Sequence, residues 1–190
     1  MKNVIILGSP RSGKSTFAKM ILKEFSNYNI IQEDVIVHAY IKSFFELCEE
    51  NDEYDYISTR DITNISHNSL QIIFDYSIYS NPSLNFIFDG MNIPLEELAK
   101  YNKEDTIVLV FGYPKITIEE GLHNIRKYDT KNDWTYIEPD YRIRMLFNNC
   151  IRESKEQQEK CRELGIKFVD TSKNREQVLK DLFEWIKQKL

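Results

Sequence analysis

The chain has 190 residues, with 25 Lys and Arg against 30 Asp and Glu and a formal net charge of -5. That length suits one domain with a sizeable core, and the acidic balance argues against a nucleic-acid binder, whose affinity comes from neutralising phosphates. Three Cys without a Cys-x-x-Cys pair, scattered His and no long apolar run exclude a disulfide scaffold, a zinc site and a membrane span, and predict a reduced, cytoplasmic setting.

Val4-Ile5-Ile6-Leu7 reads as a buried strand, and Phe17, Ala18, Ile21, Leu22 and Phe25 follow at helical spacing. Between them stands Gly8-Ser9-Pro10-Arg11-Ser12-Gly13-Lys14-Ser15-Thr16, which has the complete Walker A spacing. Gly8 and Gly13 permit backbone angles and close approach that a Cβ obstructs, while consecutive N–H groups and the positive end of the new helix face one anion. Lys14 can reach the β- and γ-phosphates, the Ser15 hydroxyl can ligate Mg²⁺, and Thr16 can add an α-phosphate contact.

Tyr28 to Asp34 reads as a second strand ending in acidic residues, at the end of a sheet where ligands bind. Helical patterns then cover about 35–48 and 64–80, separated by an acidic run and a loop from Tyr54 to Arg60, and Asn81-Pro82 breaks the second of them. Asn85 to Asp89 is a third strand ending in a carboxylate before Gly90, and a short helix follows Pro94. Thr106 to Phe111 is apolar enough for a central parallel strand.

Ile116 to Arg126 reads as a helix, followed by the polar, aromatic stretch Lys127 to Asp140, which shows no period. A long helix is expected over about 141–164, with Leu146, Cys150, Ile151 and Cys161 inward and Gly165 as its C-cap. Ile166 to Val169 is a fifth strand with the exit loop Asp170-Thr171-Ser172, and Leu179, Leu182, Phe183, Ile186 and Leu190 give a last amphipathic helix. Alternating strands and helices predict an α/β fold: a doubly wound parallel five-stranded sheet with helices on both faces.

In layout the full chain resembles the small P-loop kinases, among them adenylate kinase and shikimate kinase. The resemblance rests on Walker A, the carboxylate Asp34 after the second strand, and Phe86-Ile87-Phe88-Asp89-Gly90 after the third. It implies a P-loop NTPase fold with strand order 2-3-1-4-5, an acceptor-side helical region at about 35–80, and a helical lid at about 116–152. It also implies ATP and Mg²⁺ as the phosphate source, with Asp170-Thr171-Ser172 beside the adenine and Thr171 among the nucleotide contacts. Asp34 matches the position that contacts the acceptor in shikimate kinase-like enzymes. Met91-Asn92-Ile93 stands where adenylate kinases continue with Phe-Pro-Arg and shikimate kinases with glycines. The acidic residues Glu46, Glu49, Glu50, Asp52, Glu53 and Asp55, against only Lys42 and Arg60, disfavour an anionic acceptor if they face it.

The expected machinery is Lys14, Asp34, Asp89, Arg126 and Arg142, with Ser15 and Asp89 for the metal. Arg144 and Arg152 are further cationic candidates, since a guanidinium stays charged and grips a phosphoryl group with paired donors. Trp134 and Tyr136 can pack on a ligand or anchor their own loop. The expected function is transfer of the γ-phosphate to a small-molecule acceptor. The alternatives are an ATPase or GTPase switch and a nucleoside monophosphate or nucleic-acid-end kinase. Asn102-Lys103-Glu104-Asp105 imitates a guanine-reading motif, but it precedes a strand instead of following one.

Overall fold

The structure is a computed structural model that describes residues 2–48, 58–80 and 85–190. It contains a five-stranded sheet built from β1 (Asn3–Gly8), β2 (Tyr28–Gln32), β3 (Asn85–Asp89), β4 (Thr106–Gly112) and β5 (Lys167–Asp170). The pairings are parallel throughout, and the order is β2-β3-β1-β4-β5, as expected. The helices are α1 (Lys14–Glu24), α2 (Glu33–Cys48), α3 (Thr59–Ser80), α4 (Leu95–Ala99), α5 (Ile118–Tyr128), α6 (Asp140–Leu164) and α7 (Arg175–Lys187).

Strand side chains alternate between two cores. Val4 and Ile6 of β1 pack with Phe17, Ile21, Leu179, Leu182 and Ile186 of α1 and α7. Ile5 and Leu7 pack on the other face with Leu70, Leu98 and Cys161 of α3, α4 and α6. Burial on both faces explains why β1 and β4 read as continuous apolar runs. A separate cluster joins Leu122 and Ile125 of α5 to Ile143, Phe147 and Cys150 of α6, with Tyr113 beneath them.

Several boundaries differ from expectation. The second strand stops at Gln32, and Glu33 and Asp34 form the first turn of α2. Carboxylates suit that turn because they face the positive end of the helix. α3 starts at Thr59, and Ser58 caps it: its N–H and hydroxyl donate to Asp61 Oδ2 while Asp61 N–H donates back at 3.2 Å. The spacing Ser58-x-x-Asp61 is the signal for that start. α5 begins two residues later than expected, where Thr117 and Glu120 form a reciprocal capping box. Gly165, at φ 67°, ends α6 in the left-handed conformation, as expected. Asn81-Pro82 and the acidic side chains between 46 and 55 lie outside the described residues. No helix among the described residues is long and apolar enough to cross a membrane.

Candidate active site

The strand register sets the site. Gly8 lies opposite Phe111 and Ile6 opposite Asp89, so the Walker A turn leaves the sheet between the ends of β3 and β4. At Gly8 φ is 131°, and a Cβ there would land on the Phe111 carbonyl oxygen, to which Ser9 N–H donates at 3.0 Å. Gly13 at φ 100° turns the chain into α1. Arg11 also has a positive φ, 63°, an uncommon conformation for a residue with a side chain.

Lys14 Nζ curls over the loop and donates to the carbonyls of Gly8 and Ser9 at 2.8 and 3.0 Å. Burial lowers its pKa, and the nearby carboxylates of Asp89, Asp34 and Glu33 oppose that shift. Ser15 Oγ donates to Asp89 Oδ2 at 2.6 Å. Asp89 is buried, which pushes its pKa up, while the Ser15 hydrogen bond and Lys14 pull it down. Hydroxyl and carboxylate oxygens side by side are the hard donors that Mg²⁺ prefers, and one or two of them suffice beside phosphate and water. Lys14, Ser15, Asp89 and Asp34 thus lie near one another, with Asp34 exposed on the first turn of α2.

The first half of the loop is held from the carboxyl-terminal half of the chain. Ser9 Oγ lies 3.0 Å from Ser154 Oγ of α6, and Ser154 Oγ accepts Tyr113 N–H at 3.1 Å. Tyr113 Oη donates to the Pro10 carbonyl at 2.8 Å, and burial raises the phenol's pKa. Arg11 donates to Asp133 Oδ1 at 2.8 Å and pairs with Asp129, whose other oxygen receives the Thr135 hydroxyl.

The lid arginines are placed differently from one another. Arg126 donates to Asp140 Oδ1 from Nε at 3.0 Å and from Nη2 at 2.7 Å, and to the carbonyls of Thr135, Tyr136 and Glu138. In this arrangement it folds the 3-10 turn Trp134–Tyr136 against α5. Arg142 is exposed and donates to Tyr141 Oη at 3.3 Å and to Glu138 Oε2 at 3.4 Å, and Arg144 pairs with Glu119. Thr171 directs both its N–H and its hydroxyl to the Gly112 carbonyl, at 2.8 and 3.2 Å, joining the exit loops of β4 and β5. Trp134 and Tyr136 stand well exposed on their turn.

Sequence reading passed over Glu33, Tyr113, Asp129, Asp133 and Ser154. Ser154 carried a signal, as a hydroxyl on the buried stripe of Ile143, Phe147, Cys150 and Cys161. Glu33 carried one only as the neighbour of Asp34. It is fully buried, and its carboxylate receives the backbone N–H groups of Met91 and Asn92.

A 2-3-1-4-5 parallel sheet, a Walker A turn after its first strand, and a Ser–Asp pair between the first helix and the third strand mark a P-loop nucleotide-binding fold laid out as in the small kinases. No protein-family model matches the chain. It is 27% identical over 159 residues to a shikimate kinase of Clostridium botulinum, covering 76% of this chain and 81% of that protein. The shikimate kinase structure from Bacteroides thetaiotaomicron superposes with a TM-score of 0.59 at 11% identity, over 98% of both chains. The structure from Acinetobacter baumannii, in complex with shikimate, gives 0.51 at 18% identity, over 99% of this chain and 92% of that one. The chain thus has the fold of the P-loop small-molecule kinases, and its similarities in sequence and fold are to shikimate kinases.

Proposed function

We propose that the protein transfers the γ-phosphate of Mg·ATP to a hydroxyl of a small-molecule acceptor bound between Asp34 and Asp89. The observation that carries this reading is the Ser15–Asp89 hydrogen bond of 2.6 Å beside Lys14 on a correctly turned phosphate loop. Phosphoryl transfer asks mainly for positioning and for charge stabilisation, with little covalent work by the protein.

On this reading the loop N–H groups and Lys14 hold the β- and γ-phosphates, and Lys14 leaves the Gly8 and Ser9 carbonyls to do so. Ser15 and Asp89 would hold Mg²⁺, which when bound neutralises charge on the phosphates. Asp34 binds the acceptor hydroxyl and accepts its proton as the new O–P bond forms and the bond from the γ-phosphorus to the bridging oxygen breaks, with ADP leaving. The segment 116–152 acts as the lid, excluding water. Arg142, exposed, leaves Tyr141 and Glu138 to swing onto the transferring phosphoryl group, while Arg126 shapes the turn that carries it. The Asp170–Ser172 loop lies beside the base.

The kinship with shikimate kinases supports a small, hydroxylated acceptor. The test is ADP formation from Mg·ATP across a panel of such compounds, with Lys14→Ala as the control. Acceptor-independent hydrolysis alone would favour a nucleotide switch over a kinase.

A further inference from the structure

At the exit of β3 the chain bends sharply after Asp89. Gly90 N–H donates to the Ile6 carbonyl at 3.0 Å, and the next two N–H groups, of Met91 and Asn92, turn the other way. Successive amides that point to one spot at the carboxyl end of a parallel strand form a small anion-binding concavity. Here that concavity is already filled. Glu33 reaches it from the first turn of α2, with Asn92 N–H at 3.2 and 3.3 Å from its two oxygens and Met91 N–H on Oε2. The Glu33 side chain is 0% exposed, and a Cβ on Gly90 would collide with its Oε2. Gly90 is thus required by the close approach of Glu33.

We infer that Glu33 is the specificity-determining residue of the acceptor side. Its carboxylate occupies the two amides that an acceptor's own anionic group would use, so the acceptor carries no carboxylate or phosphate at that end and is an uncharged or amine-bearing hydroxyl compound. Charge at the site agrees with this: Asp34 and Asp89 flank Glu33, and all three act on Lys14. An anionic acceptor would have to sit beside those carboxylates while Lys14 is engaged with the triphosphate. Among the described residues near the β3 exit, the amides that could have compensated are spent on Glu33. This inference rests on the proposed kinase reading and narrows its substrate class.

Two measurements test it. In the first, ADP formation is followed with uncharged polyols, nucleosides and amino alcohols, and with carboxylated and phosphorylated counterparts, shikimate among them. The expected result is a kcat/KM at least roughly tenfold higher for compounds without the anionic group. Preferred turnover of shikimate or another anion overturns the inference and leaves the kinase reading standing. Failure of both classes, with Mg·ATP bound, overturns the kinase reading and the inference with it.

The second needs no acceptor of known identity. Glu33→Ala frees the two amides and leaves a space of carboxylate size, so millimolar formate should raise its thermal midpoint and leave the wild-type midpoint unmoved. An equal response of both proteins overturns the inference. If Glu33→Ala does not fold, Glu33→Gln keeps an acceptor oxygen without the charge. In that variant the ratio of anionic to uncharged acceptor turnover should rise through the acceptor KM, with the KM for Mg·ATP held, and an unchanged ratio overturns the inference.

Discussion

Arg11 Nη1, in the middle of the phosphate-binding loop, donates to Asp133 Oδ1 at 2.8 Å, across 122 positions of the chain. Its other terminal nitrogen meets Asp129, whose side chain is only 3% exposed. Ser9 and Pro10, its neighbours, are held by Ser154 and Tyr113. The Walker A loop is therefore mechanically continuous with the segment proposed as the lid.

Arg11→Ala should leave the Asp129 carboxylate buried without its cation. Removing one partner of a largely buried pair costs about 3 kcal/mol. Urea denaturation should show that loss, and limited proteolysis between 129 and 140 should accelerate. An unchanged urea midpoint would mean that the pair contributes nothing.

The same contact has an acid limit. The Asp133 carboxyl is held down to about 2 from an ordinary 3.8, first by the Arg11 hydrogen bond and then by the Thr130 N–H and hydroxyl. Because the folded value lies below the unfolded one, the contribution is fully present above the unfolded value and is lost as pH falls through the folded one. The stability gap between wild type and Asp133→Asn should be constant above roughly pH 5 and should close near pH 2. A gap that persists at the acid end would show that the ion pair is not its source.

Lys14→Ala should lower kcat by roughly a thousandfold, the scale for losing a group that meets developing charge. Coupled-enzyme detection of ADP would measure it. Near-normal turnover in this variant would refute the proposed role of the loop.

Asp89→Asn should separate stability from activity. Burial raises the Asp89 pKa, so the folded state is penalised for holding it ionised at pH above that raised value. The amide removes the penalty and still accepts from Ser15, so the thermal midpoint at pH 8 should rise. Turnover should fall about a hundredfold or more, because the metal loses its charged oxygen. A variant that is both less stable and fully active would contradict the assignment.

Ser154→Ala should cost about 2 kcal/mol, since the Tyr113 N–H loses its acceptor in a dry interior and the Ser9 hydroxyl loses its neighbour. Mg·ATP affinity, read by calorimetry, should weaken with it. Full retention of both would show that water replaces the hydroxyl.

Taken alone, the sequence determined the parallel sheet, because β1 and β4 are apolar on both faces and alternate with amphipathic helices. It also determined the Walker A turn, because its N–H groups, Lys14 and Ser15 lie in one contiguous stretch whose geometry is local. Asp89 was legible as a strand-end carboxylate in the register that meets Ser15. The starts of α2 and α3 were misplaced because Glu33 and Ser58 act through side-chain contacts that hydrophobic periodicity does not register.

Tertiary structure alone decided which way the remaining polar groups turn. Nothing in the local pattern sends Glu33 to the amides after β3, Arg11 to Asp129 and Asp133, or Arg126 to the carbonyls of its own turn. Those partners are far apart in the chain or lie in a stretch without period. Their pairing is imposed by the need to satisfy buried charges and amides once the elements have packed.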